Sequence, residues 1–416
     1  MKKPRKNFWE ERKKMSNIPK LRFPEFTGEW EEKKIDELSL INPKPDDLPE
    51  VFSYIDLESV KNGALLQEKK IKKKDAPSRA QRLLKENDIL FQTVRPYQRN
   101  NYFFVSKTPT VASTGYAQFR VNKYNYPSFL YQYLYTNNFV RNVLDRCSGT
   151  SFPAISTNDL LEITLHIPSY HEQQKIADFL SNVDSIITAE TKILNAFQKK
   201  KKALMQKLFT QQLRFKSDDG TDFPKWEEKR LISEFPFIRN GFVGTVTDFF
   251  TNKNEGVKYI EGTNIHNGII SNSINLFVTK EFHKTHKNSQ LKENDILMVQ
   301  SGHVGETAVV SKELENSNCH ALIIMSNGGK CSSAYVNYYF QSREGKKQLS
   351  ILTTGSTIKH ILASDMQKFI CPFPCLQEQQ KIAACLSSMD SLIQTQQKVV
   401  TTWQQRKKAL LQQMFI

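Results

Sequence analysis

Apolar side chains recur with spacings of four and three along one stretch of the chain: Ile176, Leu180, Val183, Ile187, Leu194, Phe197, Leu204 and Leu208. Glu190 and Lys201 occupy the two polar steps of the same series. This narrow seam predicts a long helix packed on another helix, because a helix lying on a domain surface needs a broader apolar face. The register returns at Ile382, Leu386, Met389, Ile393, Val400, Trp403, Leu410 and Met414, with Gln396 and Lys407 as the polar steps. Each helix would be about 57 Å long at 1.5 Å per residue. Ser169 and Glu172 have the spacing of a capping box at the first helix start. Cys375 stands where Ser169 does in the second copy, which leaves that cap incomplete.

The two helices are one sequence written twice. Residues 172–209 and 378–415 align without gaps, and about half of the positions are identical. The repeat extends upstream: "LKENDIL" occurs at 84–90 and again at 291–297, and "YIDLESVKNG" (54–63) faces "YIEGTNIHNG" (259–268). Short runs rich in Val, Ile, Phe and Tyr, such as "DILFQTV" and "DILMVQ", predict strands. One helix is expected over 127–145, with a counterpart in the second copy. The unit is therefore a mixed head followed by a long helix, and the expected class is α+β. A two-fold relation between the copies would make the long helices antiparallel. "LRFPEF" opens the first copy, and "LRFKSDDGTDFPKW" follows the first helix. Leu21–Phe26 is therefore expected to pack near Phe415.

Composition narrows the function. The 416 residues carry a net charge of +16, which favours a polyanionic partner. No apolar run is long enough for a membrane span, and the basic first 14 residues lack the apolar core of a secretory signal. No membrane partner is expected. Met15 is an alternative start. Six cysteines in so long a chain fit reduced thiols and a cytoplasmic location. Cys371 and Cys375 have Leu165 and Ser169 as counterparts, so no metal site is expected.

The layout "LRFPEF…W", head, then proline, "EQQKIA" and "KKALMQKLF", given twice from about Asn17 onward, resembles the specificity subunit of type I restriction–modification systems. The resemblance implies two pseudo-repeated α/β target recognition domains joined by two long antiparallel coiled-coil helices. The expected boundaries are an extension at 1–16, a first recognition domain at 17–168 and a first spacer helix at 169–210. The second recognition domain is then 211–374 and the second spacer helix 375–416. It further implies a chain without catalysis that reads a bipartite, asymmetric double-stranded DNA target, with a helical ruler setting the gap. Two modification subunits would bring S-adenosylmethionine-dependent adenine methylation. Two restriction subunits would bring ATP- and Mg-dependent translocation and cleavage. No cofactor is expected in this chain, where neither an N/D-P-P-Y/F loop nor a glycine-rich loop after a strand occurs.

Candidate DNA-binding residues follow from charge and turn chemistry. In head one, Thr93, Arg95, Tyr97 and Arg99 lie on a proline-containing turn, and Arg can give paired bonds to guanine. Lys72, Lys73, Lys74, Arg79 and Arg82 suit phosphate contacts, although a solvated charge run is the plainer reading of the lysines. In head two the corresponding loop offers Gln300, Ser301, Gly302 and His303. Glycine–hydroxyl turns precede both helices: Gly149, Thr150 and Ser151 in one, Ser356, Thr357, Lys359 and His360 in the other. Backbone N–H groups in such turns can cradle a phosphate, or the turns can be structural. The competing function is a coiled-coil protein-interaction scaffold without DNA specificity, which leaves the basic loops unexplained.

Overall fold

A computed structural model of the chain describes residues 17–45, 47–271, 273–355 and 359–416. The leading segment 1–16 with Met15, and the turn residues Ser356 and Thr357, lie outside the described residues. The described chain forms two compact units. One combines the chain up to Thr191 with Lys398–Ile416, and the other is Lys192–Gln397. The units divide within the long helices, because each head packs on the start of one helix and the end of the other.

In the first unit, strands Ser39–Ile41, Tyr116–Val121, Ile89–Gln92 and Tyr102–Phe103 pair antiparallel in that order. A second sheet runs Lys69–Lys72, Val51–Ile55, Thr110–Ser113, Ala80–Leu83, with its two central strands parallel. Ile89–Gln92 and Thr110–Ser113 are buried along their whole length, as centrally placed strands are. Glu31–Lys34 pairs with Thr164–Ile167 and brings both ends of the head to the start of the long helix. The second unit repeats the first sheet's order with Phe237–Asn240, Leu322–Ser326, Ile296–Val299 and Thr307–Val309. Val257–Ile260 and Asn318–Cys319 repeat the parallel pair.

The helix expected over 127–145 is two helices, Pro127–Tyr133 and Asn137–Leu144. Thr136 divides them by accepting the Phe139 N–H at its side chain, which gives the second helix its own N-cap. Ser342 does the same between Ser333–Gln341 and Arg343–Leu352. There the chain turns so tightly that a Cβ on Gly345 would run into the Tyr339 carbonyl.

The long helices run Tyr170–Phe209 and Leu376–Met414 without interruption. Every seam position on both is buried or half-buried. Ile176, Leu180, Leu411, Met414 and Phe415 share one core with Trp30, Phe91 and Phe129. Leu208, Phe209, Ile382 and Leu386 share the equivalent core of the second unit. Within each unit the start of one helix thus meets the end of the other, the pairing antiparallel partners make. The lysine steps of the seam close on aspartates. Lys407 donates to Asp184 at 2.6 Å and Lys201 to Asp390 at 2.6 Å.

"EQQ" works as an anchor for the head. Ser169 caps Glu172 N–H only loosely, at 3.4 Å. The Glu172 carboxylate does not complete a capping box. It takes both prongs of Arg22, at 2.7 and 2.8 Å, and the Trp30 indole N–H at 3.4 Å. Glu378 holds Arg214 at 3.0 and 2.7 Å and Trp226 at 3.0 Å. A buried carboxylate requires such partners, and these tie each "LRF" segment to its helix. Gln173 accepts from Tyr126 N–H at 2.8 Å and donates to Pro168 O at 3.0 Å, and Gln379 repeats both bonds.

Candidate nucleic-acid interface

In head one the fully buried strand Ile89–Gln92 delivers the chain into the Thr93–Arg99 loop. Thr93 is fixed by its N–H and its hydroxyl, both donated to Gly115 O, at 3.1 and 2.8 Å. Arg95 and Arg99 take left-handed backbone conformations (φ 53° and 54°) on either side of a short 3-10 turn at Pro96–Gln98. Such conformations are costly for residues with a Cβ and bend the chain sharply. The glycine–hydroxyl turn docks directly on this loop. Arg95 N–H donates to Pro153 O at 2.7 Å, and Ile155 N–H donates to Thr93 O at 3.1 Å. Ser148 and Ala154 exchange both backbone bonds at 2.9 Å and close the turn. Gly149 is left-handed at φ 87°, and Gly149, Thr150 and Ser151 are exposed. The Arg95 guanidinium lies 4.2 Å above the Phe152 ring, and Tyr97 is half exposed. Two segments about fifty residues apart thus form one surface.

Head two builds the same junction from other side chains. Ile361 N–H donates to Gln300 O at 3.1 Å, and Ser301 bridges to His360. Thr354 and His360 exchange backbone bonds at 2.9 and 2.8 Å. Gly302 and Gly355 are left-handed, at φ 82° and 98°. His303 donates from Nε2 to Gly262 O at 3.0 Å and stacks on His266, ring centroids 5.4 Å apart. Lys359 and His360 are exposed beside it.

The remaining candidates separate into two groups. Lys72 ends an edge strand, and Lys73 and Lys74 begin the 3-10 turn that follows it. Lys73 is paired with Asp47 at 2.7 Å. Arg82 lies in the strand at the opposite edge of that sheet, and Arg79 immediately precedes it. Arg79 O accepts from Thr114 N–H at 2.9 Å, next to the Gly115 that holds Thr93. The arginine edge therefore borders the loop junction and the lysine edge does not. Burial lowers the Arg82 guanidinium pKa, and its Nε has no partner. Arg99 is used inside the head: it donates to Tyr135 O at 2.9 Å and Asn137 Oδ1 at 2.8 Å. Among the described residues no grouping of three or more His, Cys, Asp or Glu could hold a metal. His283 lies on a short helix, Lys280–Thr285, and faces Asn318 Oδ1 at 2.6 Å. Arg22 and Arg214, which hold the Glu172 and Glu378 anchors, do not stand out as single positions in the sequence. The available signal was that Arg, Trp and Glu recur together in both copies.

A family model described as type I restriction modification DNA specificity domain matches residues 27–199 and again 221–402, once over each head and most of its helix. The chain belongs to this family of type I specificity subunits. It is a DNA-recognition subunit without catalysis of its own. It is 25% identical to the type I restriction enzyme MjaVIII specificity subunit of Methanocaldococcus jannaschii, over 94% of this chain and 92% of that one. It is 30% identical to the HindI specificity subunit of Haemophilus influenzae over 33% of its length, 30% of that protein. The fold is also that of the type I restriction–modification S subunit from M. genitalium. The TM-score is 0.58 at 14% identity, covering 96% of this chain and 99% of that one. Among the described residues of this specificity subunit no helix is long and apolar enough to cross a membrane.

Proposed function

We propose that this specificity subunit reads a bipartite, asymmetric DNA target, one half-site per head, with the two long helices setting the gap. The observation that carries the reading is the repeated junction of two loops. The heads share the backbone bond between loop and turn (Ile155 to Thr93, Ile361 to Gln300) and the exchange that closes the turn (Ser148 with Ala154, Thr354 with His360), while the side chains are Arg95, Tyr97 and Phe152 in one and Gln300, Ser301 and His303 in the other. A shared backbone cradle with different side chains is what two half-sites of different sequence require, since base edges are read by side chains. The excess of positive charge supplies the sequence-independent part of the affinity.

Two modification subunits dock on the pseudo-symmetric scaffold and carry S-adenosylmethionine-dependent adenine methylation. Two restriction subunits add ATP and Mg chemistry. None of these groups binds this chain, and the complex works in the cytoplasm. The test is base-resolution methylation mapping of source-cell DNA with and without the gene. Loss of one gapped, two-part adenine-methylation motif on deletion is the expected result. An unchanged methylome in cells that express the system would overturn the reading.

A further inference from the structure

Phe152 is 62% exposed, at the tip of the turn that docks on the Arg95 loop. Leaving an aromatic ring in water forgoes the burial that stabilises such side chains elsewhere. Its outer neighbour is the Arg95 guanidinium, 4.2 Å above the ring centroid. That contact seats the guanidinium over a face of the ring, which still leaves most of the side chain exposed. Arg95 itself is held in a strained left-handed conformation by its N–H bond to Pro153 O, the residue after Phe152. The same backbone feature therefore places both side chains. The sequence of head two offers no such pair: Gly302 aligns with Arg95 and Ile358 with Phe152.

We infer that Arg95 and Phe152 form one specificity-determining unit in head one. The Arg95 fork reads a guanine, and the Phe152 ring edge reads the C5-methyl group of a thymine beside it. A planar guanidinium suits the paired acceptors of guanine, and an apolar ring suits the only apolar group on the major-groove edge of a base pair. The inference rests on the proposed reading of head one as a half-site reader, and it adds a base identity and a residue to it.

The test uses the chain assembled with its modification subunits and its mapped target. Each thymine of the head-one half-site is replaced in turn by deoxyuridine, which removes only the methyl group. One replacement, next to a guanine, should weaken binding by about three- to fivefold in the wild type, the worth of one buried methyl-sized group. Phe152→Ala should weaken the unmodified target by a similar factor and be indifferent to that replacement. Phe152→Leu should keep part of the sensitivity. Retained recognition of the head-two half-site by both variants serves as the folding control. Wild-type indifference to every replacement, a half-site without thymine, or undiminished sensitivity in Phe152→Ala would each overturn the inference. Failure of the complex to prefer any gapped target would instead overturn the proposed function.

Discussion

Leu21 donates its backbone N–H to the Gln413 carbonyl at 2.8 Å. In the second unit Leu213 donates to Lys207 O at 3.1 Å, and there the two residues are six positions apart in one continuous chain. The segment at Leu21 thus meets the end of the second long helix as the linker at Leu213 meets the end of the first, and the expected contact between Leu21–Phe26 and the segment around Phe415 is present. Phe415 completes this closure among Trp30, Phe129 and Tyr133, with ring centroids 5.1 to 6.3 Å away.

Truncating that ring should be costly although it lies one residue from the chain end. Phe415→Ala is expected to destabilise the first unit by about 3–5 kcal/mol, the usual range for a buried phenylalanine. Phe209→Ala removes the counterpart, packed on Tyr335 and Tyr339, and should cost the second unit a similar amount. Urea unfolding followed by hydrogen exchange of each unit checks both values. A near-neutral Phe415→Ala would show that the closure does not stabilise the fold.

The scaffold was legible in the sequence and the recognition junction only partly so. Ile176 to Leu208 and Ile382 to Met414 announce the helices because a seam of apolar residues has a period that survives divergence. The two loops of head one could each be picked out by composition. Their meeting could not, because it rests on backbone bonds such as Arg95 N–H to Pro153 O, which any side chain permits. Arg99 appeared equivalent to Arg95 because both are exposed-type residues on one turn. Its partner, Tyr135 O, is a main-chain atom that leaves no mark in the sequence. The split of the 127–145 helix was hidden for a related reason: Thr136 can sit inside a helix or cap one, and tertiary packing decides.

The two arginines should accordingly fail in different ways. Arg95→Ala is expected to relax discrimination at one base pair of one half-site by about 1–3 kcal/mol, with stability unchanged. Arg99→Ala removes two bonds to the helix-cap region and should lower the stability of the first unit by about 1–3 kcal/mol. Competition binding against single-base variants, run beside thermal unfolding, separates the outcomes. Equal effects of both substitutions on base discrimination would contradict the structural role of Arg99.

The cysteines give a chemical check on burial. Cys371 is fully buried, and burial raises its thiol pKa well above the ordinary value; the Cys331 thiol is pushed up to about 12. Cys375 is exposed at the start of the second long helix. Only thiolates react rapidly with iodoacetamide, so at pH 8 the native protein should label at Cys375 well before Cys371 and Cys331. Mass spectrometry of the alkylated chain reads the order, and early labelling of Cys371 would contradict the packing of the second core.

The ruler proposal makes a demand on length. Inserting seven residues after Thr191 and seven after Gln397 treats both helices at equivalent positions and keeps the four–three seam in register. Each insertion adds about 10.5 Å of helix. At 3.4 Å per base pair this corresponds to about three more base pairs in the gap if helices and duplex run alongside one another. Three base pairs also rotate one half-site by roughly 100° around the duplex, taking 10–10.5 base pairs per turn, so affinity should fall while both half-site sequences persist. Inserting into one helix alone leaves the pair mismatched and should abolish recognition. Methylation mapping of cells carrying the doubly lengthened chain gives the gap directly. A gap unchanged in a folded, active complex would mean that the helices hold the heads without measuring the distance between them.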